Sequence, residues 1–159
     1  MQYKGYLLPS VNFLEGLQVE QKWSNKHEFP PQVDYPRLIS NPEQTPLGSL
    51  KDYEDLLARL TKLPSLVRQV QDLLREGVRQ RVTYARESFT GVDAQFEKLQ
   101  VDVNVSDFYV RFRDMPGSLG RHVVDRLQGS AFKVVGEELL PALRELQEYL
   151  KYEYSNHYR

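Results

Sequence analysis

Beyond Ser49 the apolar residues of this chain return every three or four positions, and that period commits most of its length to helices. Tyr53, Leu56, Leu57, Leu60 and Leu63 fall on one face of a first helix. Val67, Val70, Leu73, Leu74 and Val78 form the stripe of a second. Ala85, Phe89, Val92, Phe96, Leu99 and Val103 step by four and three across a third. Gly91 lies inside that third run and costs it about 1 kcal/mol relative to alanine. Phe132, Val135, Leu139, Leu143, Leu146 and Leu150 mark the last and longest helix. Faces of this kind are hidden only against one another, so the fold class is all-α, an irregular bundle of four to five helices. Only at Val101, Val103 and Val105, which alternate with Asp102 and Asn104, does a brief strand compete.

Local signals set the ends of these elements. Ser49 followed by Asp52 reads as a capping box, with the acid favoured by the helix dipole. Proline lacks an N–H and clashes with the carbonyl four residues back. The spacing therefore predicts a break between Leu63 and Pro64, with Pro64 opening the second helix and the two helices antiparallel or sharply crossed. Pro141 predicts a kink or a restart in the last helix. Pro116 and Gly117 punctuate a loop over Asn104 to Gly120 that holds one short helical turn. The expected core contains Leu57, Leu60, Val70, Leu74, Phe89, Phe96, Leu143 and Leu146.

Residues 1–48 have another texture. Pro30, Pro31, Pro36, Pro42 and Pro46 put five of the nine prolines into 17 residues, which favours extended, irregular backbone. Phe29, Tyr35, Leu38 and Ile39 add too much apolar surface for a free linker, so an extended Pro-rich N-terminal strap lying across the helical body is expected. Val11, Leu14, Leu17 and Val19, with Trp23 at the end, suit a short helix within it. A length of 159 residues suits one domain, a strap over 1–48 and a helical body over 49–159.

Charge and chemistry narrow the function. With 21 Lys and Arg against 22 Asp and Glu, the net charge of −1 argues against a nucleic-acid or anionic-membrane binder. No run of 18 apolar residues suggests a membrane span. The chain has no cysteine, which excludes disulfides, Cys-ligated zinc, iron–sulfur clusters and a thiol nucleophile. That, with no signal-peptide pattern, favours the cytoplasm.

His27, His122 and His157 stand 95 and 35 residues apart, so local sequence builds no zinc site and no metal or cofactor is expected. Neither a nucleophile elbow nor a phosphate-cradling glycine loop is present, and Gly117 to Gly120 reads as a plain turn. Glu137, Glu138, Glu145, Glu148 and Glu153 crowd the last helix. Glu138 and Glu145 share a face, as in a dimetal bundle, but the Glu-x-x-His pairs of such a site are missing. A solvated face with Arg144 and Lys151 is the plainer reading. Arg75, Arg79, Arg81 and Arg86 cluster around the end of the second helix. Cations are favoured there by the dipole, and the same group suits a phosphate, a carboxylate or an acidic partner. These four arginines are the candidate binding residues. Tyr149, Tyr152, Tyr154 and Tyr158 make an aromatic C-terminal tail, suited to helix packing or to an interface.

The order Asp52-Tyr53-Glu54, Ala58-Arg59-Leu60, Leu63-Pro64, Leu74-Arg75-Glu76-Gly77-Val78, Val82-Thr83 and Arg86 resembles the proteins grouped as domain of unknown function 885. Leu8-Pro9 with Glu15-Gly16, and Pro141-Ala142 through Tyr149-Leu150 to Glu153-Tyr154, extend the likeness. The family tends to place glycine where Arg81 stands and proline where Ala85 stands. The resemblance implies a mainly helical protein similar to zinc metallopeptidases of the HExxH type, in which the HExxH motif lies in a half absent from this chain. Its implication here is a non-catalytic helical fragment or scaffold, forming one wall of a substrate cleft. The expected partner is then the remainder of a longer peptidase-like chain. The alternative from the residues alone is a self-sufficient helical binding or adaptor module with a protein or peptide partner. Self-association is compatible with either.

Overall fold

A computed structural model describes residues 45–158, together with Pro36 and Ser40. The short helix expected near Val11 to Trp23 lies outside the described residues. So does most of the strap; Pro36 and Ser40, its two described positions before Thr45, have helical rather than extended backbone. Among the described residues the regular elements are all helical. They are α1 (Leu50–Arg79), α2 (Val92–Leu99), the single-turn α3 (Val110–Arg113), α4 (Arg121–Lys133) and α5 (Leu140–Glu148). The alternating valines at 101–105 contribute a 3₁₀ turn, Val103–Val105, and no strand. No helix among the described residues is long and apolar enough to cross a membrane.

The expected cap is present. The Ser49 side chain accepts from the Asp52 N–H, and the Asp52 carboxylate accepts from the N–H groups of Gly48 and Ser49 at 2.9 and 2.8 Å. The break at Pro64 is not. α1 is one helix of 30 residues with Pro64 buried inside it. Leu56, Leu60, Leu63, Val67, Val70 and Leu74 step by 4, 3, 4, 3 and 4 straight across the proline, and all six are buried. A turn at Pro64 would have put the two halves of that stripe out of phase. Hiding it in one plane outweighs the roughly 3 kcal/mol that an interior proline costs.

The expected third helix is shorter than its stripe. Gly91 has φ +81 and caps α2, so the helix begins at Val92; Arg86–Phe89 is a separate 3₁₀ turn. The loop from 104 to 120 holds α3 and a 3₁₀ turn, Gly117–Leu119. The last helical run starts at Arg121 and continues to His157 through two π-helical segments, Val134–Leu139 and Tyr149–Glu153, and a final 3₁₀ turn. The first π segment leads directly into α5, whose opening turn holds Pro141, so the helix restarts there as expected. Phe132, placed on the buried stripe by its spacing, is 44% exposed and meets Tyr109 edge-on instead. Ala131, Val134 and Val135 take the inner face. Of the expected core, Leu57 and Phe89 are only half-buried, and the other six are buried.

α1 and the last run lie side by side in the same direction. Arg126 reaches Glu54 at 3.0 Å near one end, Arg75 lies over Tyr149 further along, and the Thr83 hydroxyl donates to the His157 carbonyl at 2.7 Å at the other end. Residues 84–120 form the crossover. α2 packs on α5, tied by Gln147 and Lys151, which donate to the Asp93 carboxylate at 2.6 and 3.0 Å. α3 packs on α4, where Gln128 donates to the carbonyls of Phe112 and Arg113. One contiguous apolar cluster runs through all of these elements.

Candidate functional site

The parallel pairing leaves a groove of about 500 Å³ between the last third of α1 and the segment from α5 into the second π turn. Arg68, Gln71, Asp72 and Arg75 line it from α1, and Glu145, Glu148, Tyr149, Tyr152 and Glu153 from the other wall. Such a volume falls in the usual range for ligand sites, about 300–1,000 Å³. π turns are rare and recur at functional positions, and three of the lining residues belong to one.

Arg75 is tied into the groove twice. Its guanidinium donates to Asp72 at 3.2 Å, and its Cζ lies 5.1 Å from the centre of the Tyr149 ring. A cation over an aromatic face is held by the ring quadrupole. The Tyr149 hydroxyl is raised above the ordinary tyrosine range, chiefly by burial, with Arg75 opposing the shift. Among the described residues Arg68, Glu145, Glu148 and Glu153 form no ion pair. Gln71 sits deepest of the polar residues here, 8% exposed. Among the described residues its side-chain amide has no hydrogen-bond partner.

The four arginines read from the sequence do not form one site. Only Arg75 lines the groove. Arg79 pairs with Glu76 one turn back. Arg81, two residues beyond α1, lies in the left-handed region at φ 58, and Arg86 sits 5.9 Å from the ring of Tyr158. Of the two carboxylates that share a face in the sequence, Glu145 lines the groove and Glu138 is exposed elsewhere, the first π segment intervening. His122 and His157 are exposed and far apart on the last run, and His27 lies outside the described residues.

The aromatic tail divides. Tyr149 and Tyr154 are buried, and Tyr152 is 67% exposed at the groove. Tyr154 instead locks the crossover, its hydroxyl accepting the Tyr84 N–H at 3.0 Å beside Phe89 and Tyr158. Burial pushes the Tyr84 hydroxyl up to about 12.

Sequence reasoning missed Gln71, although a signal was there. It lies four residues after Val67 and three before Leu74, a polar side chain on the apolar face of α1. A protein zinc site needs three or four converging His, Cys or carboxylate side chains. Among the described residues, the groove's carboxylates included, no three such groups converge closely enough to hold a metal ion, so they do not fit zinc. The groove presents an amide at its base, fixed charge on both walls and the exposed Tyr152 ring, whose centre lies 5.9 Å from Lys151 Nζ.

A family model described as "Bacterial protein of unknown function (DUF885)" matches residues 10–159. No curated protein and no solved structure matches the chain.

Proposed function

This chain belongs to the family of bacterial proteins of unknown function DUF885, and from that premise we propose that it supplies framework and recognition to a peptidase-like protein, not the reacting groups. The observation that carries this reading is the pair of parallel walls, drawn from segments more than 70 residues apart and tied at both ends, Glu54 to Arg126 and Thr83 to His157. A contiguous core holds those walls at a set spacing while the polar groove between them stays open. Such a wall orients a bound chain and excludes water from one side of it. The metallopeptidase character implied by the family resemblance would belong to residues outside those described. Incubating the purified chain with zinc and a peptide library is expected to give no metal-dependent cleavage. Reproducible turnover abolished by a chelator would overturn the reading.

A second reading, a self-sufficient helical binding module, is favoured by that same contiguous core. A module of this kind is monodisperse and melts in one cooperative transition. A scaffold piece separated from its remainder exposes apolar surface, binds a hydrophobic dye and self-associates. Light scattering and dye fluorescence on the same preparation separate the two.

A further inference from the structure

We propose that the apolar cleft between α2 and the end of the last helical run is the seat of Phe29, so that the Pro-rich segment is clasped at the opposite end of the bundle from the point where it enters α1. The contact goes beyond the framework and recognition roles argued above and is compatible with either.

The cleft supplies the first argument. It measures about 220 Å³, with Phe89, Val92 and Phe96 on one side and Leu150, Ser155 and Tyr158 on the other. The charges at its rim are already paired, because the Asp93 carboxylate accepts from Gln147 at 2.6 Å and from Lys151 at 3.0 Å. What remains is apolar and smaller than the usual ligand site of about 300–1,000 Å³, room for one aromatic side chain. Phe89 and Tyr158 stack with ring centres 5.1 Å apart, and both are only half-buried. One further ring would cover the surface they leave in water, and ring pairs attract beyond the area they hide.

Chain length selects the occupant. Asp93 faces Gln147 and Lys151, and Tyr149 between those two lies beside Arg75. From Ser49 to Arg75 at 1.5 Å per residue, the cleft stands about 40 Å along the bundle from the start of α1. Phe29 is 20 residues before Ser49, which extend to about 66 Å. Tyr35 is 14 residues before it, about 46 Å at the same pitch. Helical backbone at Pro36 and Ser40 shortens that span, leaving almost nothing for passing round the bundle. Trp23 has the reach, but its indole N–H would need an acceptor that an apolar wall lacks. Phe29 carries no polar side-chain atom, and Pro30 and Pro31 after it favour extended backbone and have no N–H to bury. Thr45, buried where the chain approaches α1, and Gln80, Arg81, Phe89 and Gln95, toward the cleft end, each hold an interaction besides those described above. Those are the two places that a strap seated at Phe29 has to touch.

The test is disulfide trapping in the full 159-residue chain, which has no cysteine of its own. A disulfide closes only where two Cα atoms come within about 7 Å. Glu28→Cys, beside Phe29, is combined with Ser155→Cys in the cleft, oxidised with copper phenanthroline and mapped by peptide mass. Glu28→Cys with Glu138→Cys is the reference; Glu138 is exposed, outside the cleft and nearer the Ser49 end, so chain length alone would favour it. The cleft pair is expected to bridge within one chain at least about tenfold faster than the reference, through the higher effective concentration of a seated segment. Adding Phe29→Ala is expected to remove that advantage. Should Ser155→Cys fail to fold, Gln147→Cys takes its place. Equal rates in the two pairs, or an advantage that survives Phe29→Ala, would overturn the proposal. A faster bridge from Asp34→Cys or Lys22→Cys would overturn it in favour of Tyr35 or Trp23, and bridges between chains in favour of a second copy. None of these results bears on zinc cleavage, so the two readings fall separately.

Discussion

Gly77→Ala is a substitution for which helix propensity and tertiary structure predict opposite signs. Gly77 lies inside α1, and in an unencumbered helix replacing glycine by alanine stabilises by about 1 kcal/mol. Here the chain turns back over it. The Val82 N–H donates to the Gly77 carbonyl at 2.8 Å and the Arg81 N–H to the Val78 carbonyl at 3.1 Å, the paired bonds of a Schellman cap. A Cβ at Gly77 would stand 2.6 Å from the Val82 carbonyl oxygen. Carbon and carbonyl oxygen meet at about 3.3–3.6 Å, so the backbone has to retreat by about 0.7 Å or more. That strain costs about 1–3 kcal/mol, and weakening the cap bond costs about 1 more. Offset by the propensity gain, the net loss is about 1–3 kcal/mol. Urea unfolding is the assay, with a lower midpoint and an unchanged slope expected. An unchanged midpoint, or a gain of about 1 kcal/mol, would show that the turn relaxes freely and that Gly77 is not held by Val82.

The same cap predicts that Arg81→Gly is stabilising. Relief of a left-handed arginine is worth about 1–2 kcal/mol, less about 0.5–1 for the extra freedom of glycine when unfolded, and a lower melting temperature would contradict this. Leu60→Ala, at a position with no exposure, is expected to cost about 2–5 kcal/mol in the same unfolding assay; under about 1 would mean that the stripe is misassigned. Tyr154→Phe strands the Tyr84 N–H and is expected to cost about 1–3 kcal/mol, whereas Tyr152→Phe is expected to be neutral. The Gly48 N–H and the Ser49 hydroxyl and N–H hold the Asp52 carboxyl below its ordinary range. Its contribution is therefore present above the unfolded value, about 3.9, and is lost as pH falls through the lower folded value. Acid titration of stability is expected to lose part of that slope in Asp52→Asn, and an unaltered slope would deny the cap its role.

The resemblance locates glycine where Arg81 stands, and the structure shows why that position matters: its φ of 58 is the left-handed region that glycine enters freely. An arginine there removes the signal from the sequence without removing the turn. At Pro64 the opposite happened. The residue type announced a break, and the phase of the stripe on either side, already visible in the sequence, overrode it. Gln71 was legible in principle as a polar residue on an apolar face, but its lack of a partner was not.

Periodicity, caps and restarts depend on residues within a turn or two of one another. The all-helical class, the capping box at Ser49 and the restart at Pro141 were therefore set by the sequence alone. The parallel pairing of α1 with the last run, the groove between them and the division of the four arginines depend on where segments more than 70 residues apart come to lie. Burying one apolar stripe against another decides that, and a stripe states how much surface must be hidden without stating against which partner, or in which direction.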